Sequence, residues 1–520
     1  MPVPAHTVVF SFTNVRRIAP LALAGAAAGL GAVQYAAANP SATIDQVRVV
    51  WLENPASAAT ISWTTDEPGT AHAVLYDTVP RDAEPSAYAF SSQVAENGEY
   101  GTLDGWGVGD YYHHGRLAEL QPSTRYYFVV QSDEGVSQEY SFVTAPEDDR
   151  PFRLLYGGDS RSNWEARRAM NRRISALVDG DVTTLALAHG GDYVNDGESW
   201  NQWNAWLDDH QLTMASDRRL LPILPARGNH EGNGRLYNEV FGFPAGQSLD
   251  YWTVALGTQV RLIQLDSESS QGGDQRDFLE DELAAAQQRR WIMANYHRPA
   301  YPAVKSPGDA KVHWVPLFEE YQVDFVCESD GHALKRTVPV YRDELDAERG
   351  IVYVGEGGLG VNQRTPDDGR WYLQSPGMTA STLHVQRFSI SADEILYEAI
   401  DVEGEIVDSY TGYPRRDGTV ILPSPIAVDL LGIGTLEVAF NKALQLDEAE
   451  NVDNYSIDDG SAPVLDAKLS DDGKLLVISS DEFEPGEHTL VISAAVDLAG
   501  QAMSAAASLP FAVESDDDDD

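Results

Sequence analysis

Five apolar runs, 152–156, 182–188, 220–224, 291–294 and 323–326, punctuate the middle of the chain. Their length and near-continuous apolar content predict strands buried on both faces, as in parallel sheets. Between them, Ala166, Ala169, Met170, Ile174 and Leu177 recur at helical spacing within 164–178, and 278–286 shows the same period. Strand patterns return at 351–354, 382–390 and 395–400, so 151–417 reads as one mixed α/β domain closed by β-structure. The flanks have a different rhythm. Short alternating strands between turn residues, such as 59–63, 71–76 and 125–130 within 43–146 and 435–440 and 474–479 within 425–514, predict an all-β sandwich on each side. Asp148-Asp149-Arg150-Pro151 reads as the first linker, and Pro423 to Pro425 marks the second boundary.

Residues 1–40 break this pattern. Arg16 and Arg17 precede an Ala- and Gly-rich apolar run, and Ala36-Ala37-Ala38 supplies small residues suited to cleavage, which reads as an export signal open to the twin-arginine route. A retained anchor stays open, because about 16 apolar residues lie near the lower limit of a spanning helix. No later segment has the length and apolarity to span. Charge narrows the partners further: 36 Lys and Arg stand against 81 Asp and Glu, a formal net charge of -45. Nucleic acid and anionic membranes both need basic surface and are excluded. The acid is spread along the chain and six of the cations are lysines, a pattern that fits a halophilic protein and an ordinary acidic secreted one equally. Cys327 is the single cysteine, so no intrachain disulfide forms, and the acidic run 515–520 reads as a solvated tail.

Each apolar run feeds a polar cluster. In order these are Gly158-Asp159-Ser160-Arg161, Gly191-Asp192-Tyr193-Val194-Asn195, Gly228-Asn229-His230-Glu231, Asn295-Tyr296-His297 and Ser329-Asp330-Gly331-His332. The carboxyl ends of strands in an open α/β sheet gather along one edge, where ligands bind. Asp, Asn and His arriving there from five strands point to a metal site.

Taken together the clusters resemble the calcineurin-like metallophosphoesterases, in particular the purple acid phosphatase branch. His189-Gly190-Gly191-Asp192, Gly228-Asn229-His230-Glu231 and His297-Arg298-Pro299 match closely, as do Asp250-Tyr251-Trp252-Thr253, Leu265-Asp266-Ser267 and the segment 278–283. Segments 59–65, 120–127 and 140–146 resemble the fibronectin type III-like module that precedes the catalytic domain in that branch, so the likeness covers about 43–415. Asn454-Tyr455-Ser456-Ile457, 469–474 and Val496-Asp497-Leu498-Ala499-Gly500 resemble bacterial Ig-like modules, which implies a cell-envelope association. The fold implied is multidomain: a central α/β metallophosphoesterase domain, a β-sandwich flanked by helices, with all-β sandwiches on both sides. The activity implied is hydrolysis of a small phosphorylated substrate, a phosphate monoester, by an exported enzyme. A phosphodiesterase or nucleotide hydrolase on the same site, or a decayed surface-binding protein, stays open.

Position by position, the resemblance implies Asp159, Asp192 and His332 at a first metal and Asp192, Asn229, His297 and Asp330 at a second, with Asp192 bridging. Two divalent ions, Mn, Fe or Zn, would lower the pKa of a shared water to give the attacking hydroxide. Asp192 and His230 would be catalytic, His230 as general acid toward the leaving group. The family's fifth motif, Gly-His-x-His, is missing here. One alignment makes His332 its first histidine and puts Leu334 at the second; the gapless alternative keeps His332 as the second and sets Asp330 at the first. Asp330 is then a metal ligand, or it caps a turn while another group fills the place.

Asn195 stands where the purple enzymes carry a tyrosine, so no tyrosinate band is expected. Arg161 stands where other relatives have a histidine; its planar fork suits a phosphate oxygen or a surface ion pair. Asn195 and His313 are further candidates to face substrate. Exchanging tyrosinate for Asn195 and histidine for Asp330 lessens the need for ferric iron, and oxygen-rich ligation favours manganese over zinc. Trp200, Trp203 and Trp206 form either a cleft wall or a core stripe.

Overall fold

All five apolar runs lead into a strand that overlaps them: Phe152–Gly157, Thr184–His189, Ile223–Pro225, Trp291–Asn295 and Phe325–Glu328. The computed structural model describes residues 44–513 apart from 95, 103–104, 134, 244–249, 419–421 and 499, so the export-signal and acidic-tail readings lie outside the described residues. Phe152–Gly157, Thr184–His189 and Ile223–Pro225 pair in parallel and end level, with Gly157 opposite His189 and His189 opposite Pro225. A second sheet sets Val260–Gln264, Trp291–Asn295, Phe325–Glu328 and Val352–Gly355 in parallel, with Gln264, Asn295 and Cys327 in register. The two sheets share one core. Leu154, Tyr156, Ala186 and Leu224 of the first meet Leu262, Met293, Phe325 and Val354 of the second. Trp164–Val178 packs outside the first sheet through Met170, Ile174 and Val178. Leu279 and Leu283 of Asp274–Ala285 cover the outer face of the second.

The first sheet does not stop at the catalytic strands. Its order is Ile406–Gly412, Ile395–Asp401, His384–Ile390, Phe152–Gly157, Thr184–His189, Ile223–Pro225, Asp45–Val50, Ala59–Thr65, Tyr111–Leu117 and Glu96–Glu99. The amino-terminal module therefore joins through the parallel contact of Val50 with Ile223. Arg48, 1% exposed, spans the same junction, donating to the carbonyl of Val240 (2.9 Å) and to the Tyr100 hydroxyl (3.0 Å). The module's second sheet holds Phe90–Gln93, Ala73–Asp77, Arg125–Ser132, Gly135–Val136 and Tyr140–Val143.

The carboxyl-terminal region is two packed sheets, one of Pro425–Gly432, Thr435–Phe440, Leu475–Ser480 and Val464–Leu469, the other of Tyr455–Ile457, Gly486–Ile492 and Ala507–Val513. Val438, Ile478, Ile457 and Leu490 fill the space between them. A buried ion cluster fastens this region to the first linker: Lys442 contacts Asp149 and Asp497, all three side chains at most 3% exposed.

Two boundaries differ by three residues or more from the sequence pattern. The helix expected from 278 begins at Asp274, after Gly273 at a positive φ of 59°. Asp274 and Asp277 favour the positive end of the helix dipole, and their polarity hides that turn from a hydrophobic period. The run 220–224 yields strand only from Ile223, because Leu220 donates its N–H to the carbonyl of Ser141 in the amino-terminal module.

Candidate metal centre

Level strand ends place the five clusters on one edge. Close packing there demands glycine: a Cβ on Gly158 or on Gly190 would lie 2.2 Å from the Ser329 hydroxyl oxygen. Ser329 is held from below by the Tyr156 hydroxyl at 2.9 Å. Side chains from both sheets converge just above, Asp159, Asp192, His297, Asp330 and His332, none more than 4% exposed.

Two groups of donor atoms form. Asp159, Asp192 and His332 present one atom each within 4.8 Å of one another, and so do Asp192, His297 and Asp330, with Asp192 in both. Asn229 joins the second group through its amide oxygen, 3.2 Å from His297 Nε2. His297 Nε2 is also 3.3 Å from Asp192 Oδ1 and 3.6 Å from Asp330 Oδ1. Its other nitrogen donates to the Gly190 carbonyl at 2.8 Å, which fixes the tautomer and leaves Nε2 to act as a ligand.

Buried oxygens dominate the potential. Although burial alone would depress it, the His297 pKa is raised well above its ordinary value by Asp192, Asp330 and Asp159. Burial pushes the Asp192 and Asp330 carboxyls up, but His297 outweighs it at both, with His230 adding at Asp192 and Lys305 at Asp330, so both lie below the usual range. Asp159 Oδ1 and His332 Nε2 lie 3.0 Å apart, buried and without a hydrogen-bond partner. Buried polar atoms orphaned in this way are costly unless a cation satisfies them, and carboxylate, amide and imidazole together suit a hard divalent ion. The residues present therefore fit two ions sharing Asp192.

Backbone strain accompanies the ligands. Asp159, Asp192, Asp330 and His332 all adopt positive φ, from 55° to 72°, where residues other than glycine are uncommon. Such conformations cost roughly 1–3 kcal/mol each and persist where surrounding contacts fix them. Here the Asp330 N–H donates to Asp159 Oδ2 (2.8 Å), the His332 N–H to the Glu356 carbonyl (2.7 Å), and the His230 N–H to Asp192 Oδ1 (3.0 Å).

The remaining sequence candidates separate. His230 sits at the mouth, its Nδ1 donating to the Asn195 carbonyl at 2.7 Å and its Nε2 3.9 Å from Asp192 Oδ2. Arg161 lies beside the shared carboxylate, donating from Nε to Asp192 Oδ2 (3.2 Å) and from a terminal nitrogen to Asn195 Oδ1 (2.5 Å). Arg161 and Asn195, the two positions singled out in the sequence as departures from the family pattern, are thus partners of each other. His313 ends the short helix Ala310–His313, with Gly272 against its ring, and belongs to neither donor group. Trp200, Trp203 and Trp206 are core: the first donates to Asp110, the second to the Gly197 carbonyl, and the third to Ser160 Oγ, which meets His189 Nε2 at 3.1 Å.

Several contributors escaped sequence reasoning. Glu231, although inside a recognised cluster, accepts three backbone N–H groups, from Asp192, Tyr193 and Gly228, and so clasps two ligand loops. Arg227 gathers Asp266 (2.6 Å) and Asp250 (3.2 Å), the acids of two motifs that lacked a role. Lys305 contacts Asp330; a lone lysine in a loop gives no periodic signal.

Comparison with known proteins gives a consistent picture. Residues 44–144 match the purple acid phosphatase N-terminal domain, and residues 158–334 match the calcineurin-like phosphoesterases. An uncharacterised protein of Mycobacterium tuberculosis is 26% identical over 375 residues, covering 60% of this chain and 68% of that one. Purple acid phosphatase 15 of Arabidopsis thaliana is 24% identical over 291 residues, 47% of this chain and 53% of its own. Among solved structures, purple acid phosphatase PPD1 from yellow lupin (Lupinus luteus) seeds aligns with a TM-score of 0.60 at 18% identity, over 72% of this chain and 75% of its own.

Proposed function

We propose that this chain, a calcineurin-like metal-dependent phosphoesterase carrying the N-terminal domain of the purple acid phosphatases, is an exported enzyme that hydrolyses phosphate monoesters. The observation that carries the reading is the convergence of Asp159, Asp192, Asn229, His297, Asp330 and His332 on two donor groups that share Asp192. Two divalent ions held there would polarise the phosphoryl oxygens and activate water. The protein's own residues do the rest. His230 faces the mouth with Nε2, from which a protonated imidazole can pass its proton to the departing alkoxide. Asn195 keeps the proton on Nδ1 through its carbonyl, so the ring stays oriented before and after transfer. Arg161 presents a guanidinium already fixed by Asp192 and Asn195, a preorganised positive charge for a phosphate oxygen. Arg16-Arg17 and the apolar run behind them support export, which cell fractionation and the amino terminus of the mature protein check.

Metal analysis of the purified chain, together with hydrolysis of an aryl phosphate and an aryl diester, tests the reading. Two divalent ions per chain, no visible absorption band and preference for the monoester are expected. His230→Ala should lower kcat about 10²- to 10⁴-fold with metal content unchanged. Inactive protein without metal would overturn the enzyme reading, and preference for the diester would overturn the substrate class alone.

A further inference from the structure

The ligand at position 330 has a companion. Lys305 Nζ contacts Asp330 Oδ1, the oxygen that lies 3.6 Å from His297 Nε2 in the second donor group. Lys305 reaches it from outside: its side chain is 37% exposed, against 4% for Asp330. The other cations nearby have fixed partners. Arg298 is held by both oxygens of Glu268, Arg364 by the carbonyls of Asp330 and Gly331, and Arg161 by Asp192 and Asn195. The described contact of the Lys305 ammonium is with an oxygen that a bound cation would also claim.

The backbone below Lys305 is fixed. Arg370 donates to the carbonyls of Pro302 (2.6 Å), Val304 (3.1 Å) and Lys305 (2.9 Å). The Tyr372 hydroxyl donates to Pro302 (2.8 Å), and Glu356 accepts from the N–H of Ala303. A rigid base carrying a four-carbon stem lets the ammonium swing over a small arc at the mouth while its Cα stays put. Charge gives this arc a purpose. Where a histidine would be neutral, Asp330 adds a negative charge, which repels an anionic substrate; a lysine within reach cancels it.

Building on the phosphoesterase reading, we infer that Lys305 is a substrate-binding residue that exchanges the Asp330 carboxylate for the substrate's phosphate when a cation occupies the second donor group. The pair Asp330–Lys305 then replaces a single histidine without changing the net charge of the mouth. Ammonium with three donors and no fixed geometry suits a phosphate that arrives in varied orientations.

Competition for one oxygen makes two opposite effects measurable by binding alone. In calorimetry on the full chain, Lys305→Met should bind the second equivalent of Mn²⁺ about tenfold more tightly, since a competing charge is gone, and inorganic phosphate about tenfold more weakly on the Mn²⁺-loaded protein. Lys305→Arg should restore phosphate binding. A residue needed only for folding would weaken both. Unchanged phosphate and Mn²⁺ affinities in Lys305→Met, in a wild type that binds Mn²⁺ and hydrolyses aryl phosphate, overturn this inference and leave the phosphoesterase reading intact. A wild type that binds no Mn²⁺ overturns both.

Discussion

Glu231 belongs to neither donor group, yet its two oxygens accept the N–H groups of Asp192 (2.9 Å), Tyr193 (2.8 Å) and Gly228 (2.7 Å). Burial and the nearby Asp192 push its carboxyl above the usual range, while the N–H groups of Asp192 and Gly228 pull the other way. A glutamine of the same shape has one acceptor oxygen and turns an NH₂ toward N–H donors, so at least one of the three N–H groups loses its acceptor. Glu231→Gln should therefore lower metal affinity about 10- to 100-fold and stability by about 1–3 kcal/mol. Metal titration and urea unfolding of the same preparation check the two effects. Placement of the ligand aspartates was legible in the sequence because each follows a strand and carries its own chemistry. The role of Glu231 was not, since a carboxylate that binds backbone leaves no mark in residue type or spacing. Arg161 was legible as an anomaly, but its pairing with Asn195 bridges 34 positions and needed coordinates.

At the scale of elements, strands were legible and their partners were less so. The alternating pattern of 59–63 and the continuous pattern of 182–188 predict different kinds of sheet, yet the strands they feed, Ala59–Thr65 and Thr184–His189, lie in one ten-stranded sheet. The joint is Asp45–Val50, buried at five of six positions, a run short enough to pass for module edge. The amino-terminal module is consequently part of the wall that holds the Thr184–His189 and Ile223–Pro225 ends level. Removing residues 44–144 would bare the edge of Ile223–Pro225 and strip Val47, Val49 and Phe128 from the shared core. A chain beginning at 151 should be insoluble or molten, because an unpaired apolar edge invites association. Soluble protein with near-ultraviolet circular dichroism like that of the longer chain would contradict this.

The whole molecule carries a formal charge of -45 and places one of its few lysines between two buried acids. Self-repulsion between exposed acids is screened by salt, whereas the Lys442 cluster, at most 3% exposed, is not. Lys442→Met removes this buried cation from beside Asp149 and Asp497. Breaking a buried pair in this way costs about 3–5 kcal/mol. Chemical unfolding should show the carboxyl-terminal region leaving first in the variant, as a separate transition, with the midpoint of the remaining chain little changed. A single transition at the wild-type midpoint would show the cluster to be dispensable.

Positive φ at Asp159, Asp192, Asp330 and His332 limits what those positions can hold. Aspartate, asparagine and histidine are the side chains beyond glycine that visit this region most readily, and all three can ligate a metal. The corners of the centre thus draw on a short alphabet of oxygen and imidazole donors, with cysteine and glutamate disfavoured by the backbone itself. Aspartate at 330 is one letter of that alphabet, and histidine would be another. Exchanging one letter for another at these corners would retune ion preference with the loops unmoved, and would stay away from thiolate chemistry.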